Sequence, residues 1–321
     1  MQNGIILLLA GICQGSFGLG YKKYKPFGWA LFWQIYNIFC LCIAVGWTWM
    51  QAPGSISVYL KYPGEAAVVL LCGVMWGISA ICFTKGIDLL GMALLYGISM
   101  GISIIGGALF PILVHPDMAQ EMNVGSLLVG LLLSAAGIIL ITVGGRIRER
   151  GQNGNHMKKG MWFAVCSGIG SALMNLGFGY GRNMNAAMQE LGIGDIGISA
   201  ASWLLVIFGG SMAATCYCLP QIKKNKMMRG LPQAEAWMTT EKLFVTAIIW
   251  YAALCLYGIF TCQAGESATV TGWVIFNALA LIISNLWGIA SGEWKNSGKA
   301  LRYVFLGNVV MIFSWAFLAV V

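Results

Sequence analysis

The sequence predicts an all-α integral membrane protein whose ten transmembrane helices form two inverted five-helix repeats. Of 321 residues, 59% are hydrophobic and only 9% are charged, whereas about a quarter of a soluble domain is charged. Ten apolar windows are long enough to cross about 30 Å of hydrocarbon. The most polar stretch, residues 146–159, separates two halves, residues 1–150 and 151–321, with five windows each. Because five is odd, the second half must have the opposite orientation, as in many secondary transporters.

The predicted spans are connected mostly by short segments. The connections between the third and fourth spans and between the eighth and ninth are the shortest and predict tight hairpins. The longest connections, residues 51–65, 146–159, 181–196 and 220–242, leave no room for a soluble domain. The spans lie near residues 4–20, 29–50, 66–86, 91–114, 124–145, 160–180, 197–219, 243–262, 270–291 and 303–320.

Charge is distributed by membrane side. If the N-terminus lies outside, only Lys61 and Arg182 among the 19 basic residues fall on the outer face. The positive-inside rule therefore predicts that both termini lie outside. The net charge of +8 is explained by this asymmetry and does not indicate nucleic-acid binding. Over half of the acids fall in outer loops: Glu65, Asp117, Glu121, Glu190, Asp195 and Glu266.

The two halves also resemble each other in sequence. The first span ends in Gly18-Leu-Gly20-Tyr21, and the sixth ends in Gly177-Phe-Gly179-Tyr180. A constant offset in the third and fourth spans pairs Trp76-Gly77-Ile78 with Tyr257-Gly258-Ile259. Together with the five-plus-five count, these matches favour an internal duplication.

The chain lacks the residues that an enzyme would need. Its two histidines, His115 and His156, lie in loops, and no carboxylate lies deep in a span. No paired-histidine zinc motif, nucleophile elbow or phosphate-binding loop is present. We therefore expect no catalysis, no metal and no cofactor.

Neutral amides and aromatic rings are the polar residues within the spans. They have two interpretations. Amides can bond to neighbouring helices and so hold the bundle together, since an unpaired polar group in hydrocarbon costs several kcal/mol. Alternatively, they line a central cavity that binds a neutral polyol such as a sugar, because amides both donate and accept hydrogen bonds while rings stack on the sugar face. The candidates for substrate binding are Gln14, Gln34, Asn37, Trp76, Asn175, Trp273, Asn277 and Asn285.

Several short motifs resemble one transporter family. They are Trp76-Gly77-Ile78, Leu90-Gly91-Met92, the glycines 97, 101 and 107 before Pro111, Lys22-Lys23 with Trp29 and Trp33, and Glu293-Trp294-Lys-Asn296-Ser-Gly298. In order and along most of the chain, they are similar to the L-rhamnose–proton symporter family, within the drug/metabolite transporter superfamily. The resemblance implies uptake of L-rhamnose or a related 6-deoxyhexose across the bacterial inner membrane, coupled to proton entry. The expected partners are thus a sugar, the proton and the lipid bilayer.

One departure from the family pattern concerns coupling. Ala30 follows Trp29, where the family pattern has an acid. The nearest candidates for coupling or gating are Lys85, Asp88 and Glu266. These residues could also be simple loop charges or form a surface ion pair.

Two other functions remain open. One is a passive carrier or exporter of another small neutral metabolite, and the other is a membrane sensor that binds a partner through residues 221–241.

Overall fold

The computed structural model describes residues 2–21, 25–90, 92–120, 122–148, 157–229, 231–265, 267–292, 294 and 297–320. Within these ranges the chain is helical without a strand, and ten helices are long and apolar enough to cross a membrane. The predictions of an all-α chain and of ten spans are thus confirmed. The spanning helices are α1 (Gln2–Ser16, extended by a 3-10 turn at Phe17–Tyr21), α2 (Trp29–Gln51), α4 (Pro63–Leu90), α5 (Met92–Val114), α6 (Val124–Arg148), α7 (Met157–Tyr180), α9 (Asp195–Lys224), α10 (Gln233–Ala264), α11 (Ala268–Ala290) and α12 (Gly298–Val320).

Helical structure extends beyond the predicted spans. Much of the connection expected at 220–242 belongs to the end of α9 and the start of α10. A helix satisfies its own backbone, so it can continue out of the hydrocarbon wherever its side chains are polar. Two short helices, α3 (Ser55–Lys61) and α8 (Arg182–Glu190), form within segments expected to be plain connections. They pack against each other, and α8 buries Met184, Ala187 and Met188 on one face.

The packing interleaves the two halves of the chain. The first spanning helix of each half packs on the third and fourth of the other: α1 on α10 and α11, and α7 on α4 and α5. The second helices, α2 and α9, pack on each other, as do the fifth, α6 and α12. Burial is greatest along α9 and α11, where 67% and 61% of the spanning residues are enclosed. The core therefore lies around these two helices, and α6 and α12 form a peripheral pair.

Glycines permit the closest helix contacts. A Cβ added at Gly73 of α4 would collide with the backbone of Val206 in α9. A Cβ added at Gly209 of α9 would collide in turn with the carbonyl oxygen of Leu70. Small residues at helix interfaces bring backbones together, which is the main source of packing energy where water is absent.

We expect Gly73→Ala to destabilise the bundle, because the added methyl group forces α4 away from α9. Overpacking of this kind costs about 1–3 kcal/mol, and a lower melting temperature in detergent would reveal it. The matched control is Gly46→Ala, since nothing lies within 4 Å of that position. Equal melting temperatures for the two variants would contradict the close α4–α9 contact.

Candidate functional site

Six aromatic residues form a continuous series of ring contacts among α2, α4, α9 and α10. Trp76 and Trp250 stack with centroids 5.4 Å apart and planes 10° apart. Tyr36 contacts Trp250 at 6.1 Å and Trp33 at 5.6 Å. This aromatic cluster comprises Trp29, Trp33, Tyr36, Trp76, Tyr217 and Trp250.

The Trp76–Trp250 stack joins the third spanning helix of one half to the third of the other. Both residues lie near the middle of their helices, and each stands the same number of residues before its helix ends, at Leu90 and Ala264. Gly210 of α9 leaves space for the Trp76 ring, because an added Cβ there would collide with the indole. The stack therefore lies near the middle of both helices, where the two halves meet.

Polar side chains with unused hydrogen-bonding capacity lie on α2 and α9, the two helices that carry four of these rings. Gln34 Nε2 donates to Thr215 Oγ1 at 3.0 Å, which leaves Gln34 Oε1 buried without a partner in the described part of the chain. Ser211 Oγ, one turn before Thr215, is also buried and unpartnered there. Asn37 is buried, and its Nδ2 donates to the Trp33 carbonyl oxygen at 2.8 Å. Unsatisfied polar atoms are costly in hydrocarbon, so these two atoms are the ones that a polar ligand could satisfy.

A second polar cluster, around Asn175, has its hydrogen bonds satisfied within the protein. Asn175 Nδ2 donates to the carbonyl oxygens of Gly107, at 2.9 Å, and Thr269, at 3.0 Å. Asn175 Oδ1 accepts a hydrogen bond of 2.7 Å from the Tyr257 hydroxyl. The residue is fully buried, and its three bonds join α7 to α5, α10 and α11.

The remaining candidates on α11 are also bonded internally. Trp273 Nε1 donates to the Ser103 carbonyl oxygen at 3.0 Å, and Asn277 Nδ2 donates to the Trp273 carbonyl oxygen at 2.9 Å. Asn285 Nδ2 donates to Asn308 Oδ1 of α12 at 2.9 Å. Gln14 lies apart on α1, half-buried, and its Oε1 is without a partner in the described ranges.

The structure thus divides the eight predicted residues. It brings Gln34, Asn37 and Trp76 to the aromatic cluster, and Asn175, Trp273 and Asn277 to the second cluster. Trp250 was not among the predicted residues. Trp250 and Trp76 stand the same number of residues before the ends of α10 and α4, and this match could have identified Trp250 once both helix ends were known.

The predicted coupling residues are only partly described. Lys85 is exposed, and its Nζ lies 4.9 Å from the centroid of the Tyr217 ring, which is a cation–π contact at the edge of the aromatic cluster. The Asp88 side chain and Glu266 lie outside the described residues. Among the described residues, no aspartate, glutamate or histidine lies in the middle of a spanning helix, and no three metal-ligating side chains come together.

The end of the bundle where α8 lies carries a different set of charged contacts. Arg182 Nη1 donates to Asp117 Oδ2 at 2.5 Å. Glu65 of α4 accepts hydrogen bonds from the Asn183 side chain and, at 3.1 Å, from the Met184 backbone N–H. These contacts hold the start of α8 to α4 and to the 3-10 helix at Pro116–Gln120.

Comparison with known proteins identifies relatives along the whole chain. A family model described as L-rhamnose-proton symport protein (RhaT) matches residues 1–320. The chain is 26% identical over 340 residues to the L-rhamnose-proton symporter of Pectobacterium atrosepticum, covering 97% of this chain and 96% of that protein. It is 25% identical, with the same coverage, to the proteins of the same name from Yersinia pestis and Citrobacter koseri.

We expect Asn175→Ala to destabilise the protein, because it removes two donated bonds and leaves the Tyr257 hydroxyl with a poorer partner. Loss of buried hydrogen bonds costs about 1–3 kcal/mol, which thermal unfolding in detergent would detect. Gln34→Ala is the control, since it removes a single side-chain bond within the protein. A loss of stability as large in Gln34→Ala would show that the two amides have the same role.

The hydrogen bond between Arg182 and Asp117 predicts how the stability of the protein depends on pH. The hydrogen bond from Arg182 lowers the pKa of the Asp117 carboxyl, so the ionised form is favoured. Its contribution to stability is present above the unfolded pKa and is lost as the pH falls through the lower folded value. Asp117→Asn should therefore lower the melting temperature equally at every pH between about 5 and 8. A difference that changes with pH in that range would contradict this contact.

Proposed function

The chain belongs to the L-rhamnose-proton symport protein family, and from that premise we propose that it imports L-rhamnose, or a related 6-deoxyhexose, together with protons by alternating access. This is a transporter family, so the prediction that the chain is not an enzyme is confirmed. The ten apolar helices and the bacterial relatives agree with a multi-pass protein of the inner membrane. The observation that carries the proposal is the aromatic cluster, whose rings and free amide oxygen suit a neutral sugar.

The proposal includes an inverted repeat of residues 1–150 and 151–321, as in the drug/metabolite transporter superfamily, with both termini outside. Three observations support it. The odd span count requires opposite orientation. The main contacts between the halves keep their pattern when each helix is exchanged for its counterpart, as α1 on α10 and α11 becomes α7 on α4 and α5. Trp76 and Trp250, at equal distances from their helix ends, stack on each other.

In this proposal the sugar binds at the aromatic cluster. Pyranose rings present an apolar face to an indole and hydroxyl groups at the edge, and binding sites combine apolar walls with a few placed polar groups. Gln34 Oε1 can accept a hydrogen bond from a sugar hydroxyl, and Ser211 Oγ can donate or accept one. Both atoms are buried without a partner among the described residues, so a bound sugar would satisfy them.

In this proposal, the Trp76 and Trp250 rings must separate before the sugar can bind between them. With centroids 5.4 Å apart, the Trp76 and Trp250 rings leave no room for a pyranose between them. Movement of one half against the other would separate the indoles, because the two rings belong to different halves. The stack then closes the site when it is empty and provides ring faces for the sugar when it is occupied.

The eight predicted residues therefore take two roles in the proposal. Gln34, Asn37 and Trp76 bind the substrate, with Trp250 added, and Gln14 remains a candidate through its unpartnered oxygen. The amides and the indole of the second cluster and of the α11–α12 contact hold helices together: Asn175, Trp273, Asn277 and Asn285.

Proton coupling needs a group that stays protonated while the carrier reorients. Glu65 and Asp117 accept hydrogen bonds that keep the α8 end closed, and such acceptors are strongest as ionised carboxylates. A proton on either would weaken the closure that inward reorientation requires. We therefore favour Lys85 and Asp88 as coupling candidates, since they belong to α4, which also carries Trp76. Glu266 remains a further candidate from the sequence.

Uptake of labelled L-rhamnose into proteoliposomes tests the function. We expect an inward proton gradient to drive accumulation above the external concentration, and a protonophore to abolish it. Uptake that equilibrates without concentrating would instead indicate a passive carrier. Absence of uptake, together with no competition by other sugars, would contradict the proposed substrate class.

Substitution tests the site. We expect Trp250→Ala and Gln34→Ala to lower uptake at least about tenfold, since one lost sugar contact of about 1.4 kcal/mol has that effect. Expression and melting temperature should stay close to those of the unmodified protein in Gln34→Ala, whereas Trp250→Ala also removes a buried ring and should cost about 3–5 kcal/mol of stability. Trp49→Ala is the matched control, because Trp49 is 68% exposed on the lipid side of α2. If uptake falls only in proportion to stability, these residues are structural and the site lies elsewhere.

A further inference from the structure

A cavity of about 520 Å³ lies between the C-terminal end of α6 and the N-terminal end of α12. These helices form the peripheral pair, so the cavity is separate from the aromatic cluster. Its lining combines two cations with a hydroxyl and apolar side chains: Val143, Arg146, Ile147, Lys299 and Tyr303. Neither Arg146 nor Lys299 has an ion-pair partner within the part of the chain that the structure describes.

Apolar stripes on both helices lead to the two cations. On α6, exposed residues recur every three or four positions and continue to Arg146: Leu128, Leu132, Ala136, Ile139 and Val143. On α12, the corresponding exposed stripe of Phe317, Phe313 and Leu306 leads back to Lys299. Residues at this spacing share one helix face. From Leu128 to Arg146 the rise is ~27 Å at 1.5 Å per residue, close to the thickness of the hydrocarbon.

We propose that this cavity binds the headgroup of an anionic phospholipid, with the phosphate between Arg146 and Lys299 and the acyl chains along the two stripes. A guanidinium donates two parallel hydrogen bonds to phosphate oxygens, an ammonium adds a point charge, and the Tyr303 hydroxyl can donate a third hydrogen bond. Basic pockets between helices at this membrane surface are suited to anionic lipid headgroups. The stripes place the chains of the same molecule in hydrocarbon.

A second copy of the chain is a poorer occupant of this surface. A twofold interface would place the same patch of both copies face to face. Arg146 and Lys299 of each copy would then approach those of the other, and no acidic side chain is among the described residues that line the cavity. A lipid phosphate provides the missing negative charge. This inference does not depend on which solute the protein transports.

Lipid binding to the purified full-length protein tests the proposal. Binding of phosphatidylglycerol, measured by native mass spectrometry after delipidation, would be compared between the unmodified protein and the double variant Arg146→Gln with Lys299→Gln. We expect about fivefold weaker binding for each cation removed, hence about 25-fold for both, with binding of phosphatidylcholine unchanged. The matched control is Lys158→Gln with Lys159→Gln, which removes two exposed cations at the start of α7 and should retain binding.

Three outcomes would overturn the proposal. Equal loss of binding in the two double variants would mean that only general surface charge attracts the lipid. Displacement by soluble glycerol 1-phosphate at the same concentration as lipid would mean that the stripes contribute nothing. A dimer that dissociates only in the Arg146–Lys299 variant would identify the surface as an interface between copies.

Discussion

The hydrocarbon interior of a membrane offers no hydrogen-bond partner, and this constraint separates the roles of otherwise similar side chains. Asn175 and Gln34 are both buried amides in spanning helices. Asn175 uses both ends of its amide on three neighbouring helices, whereas Gln34 bonds only through its nitrogen and leaves its oxygen unpaired among the described residues. An amide whose hydrogen bonds are all made within the protein stabilises the bundle. An amide with an unpaired atom is costly until a ligand provides the missing hydrogen bond.

The same constraint explains the distribution of charge. The described charged side chains lie towards the ends of the bundle, where Arg182, Asp117 and Glu65 hold α8 in place and Lys85 contacts a ring. A substrate that reaches the uncharged middle should itself be neutral, and a sugar meets this condition. At the proposed site, the aromatic cluster would attract the sugar through ring faces, which need no counter-charge.

Hydropathy predicted the ten spans and the tight hairpins because hydrocarbon thickness fixes the length of a crossing helix. It did not predict α3, α8 or the extended ends of α9 and α10, because helices in water depend on local amphipathic packing. Composition supplied the eight candidates but could not rank them. Whether an amide finds all its hydrogen-bond partners depends on the tertiary structure. The sequence offset pairs Trp76 with Tyr257, whereas the ring that stacks on Trp76 in the structure is that of Trp250. Short matches in a glycine-rich chain are too common to define such a register.

The most direct test of this account is a structure of the protein with L-rhamnose bound, because it locates the sugar independently of any mutant. The account predicts sugar density against the indole of Trp76 or Trp250, with a hydroxyl within hydrogen-bond distance of Gln34 Oε1 and the two indoles further apart than 5.4 Å. Sugar density beside Asn175 and Trp273, with the Trp76–Trp250 stack unchanged, would contradict it.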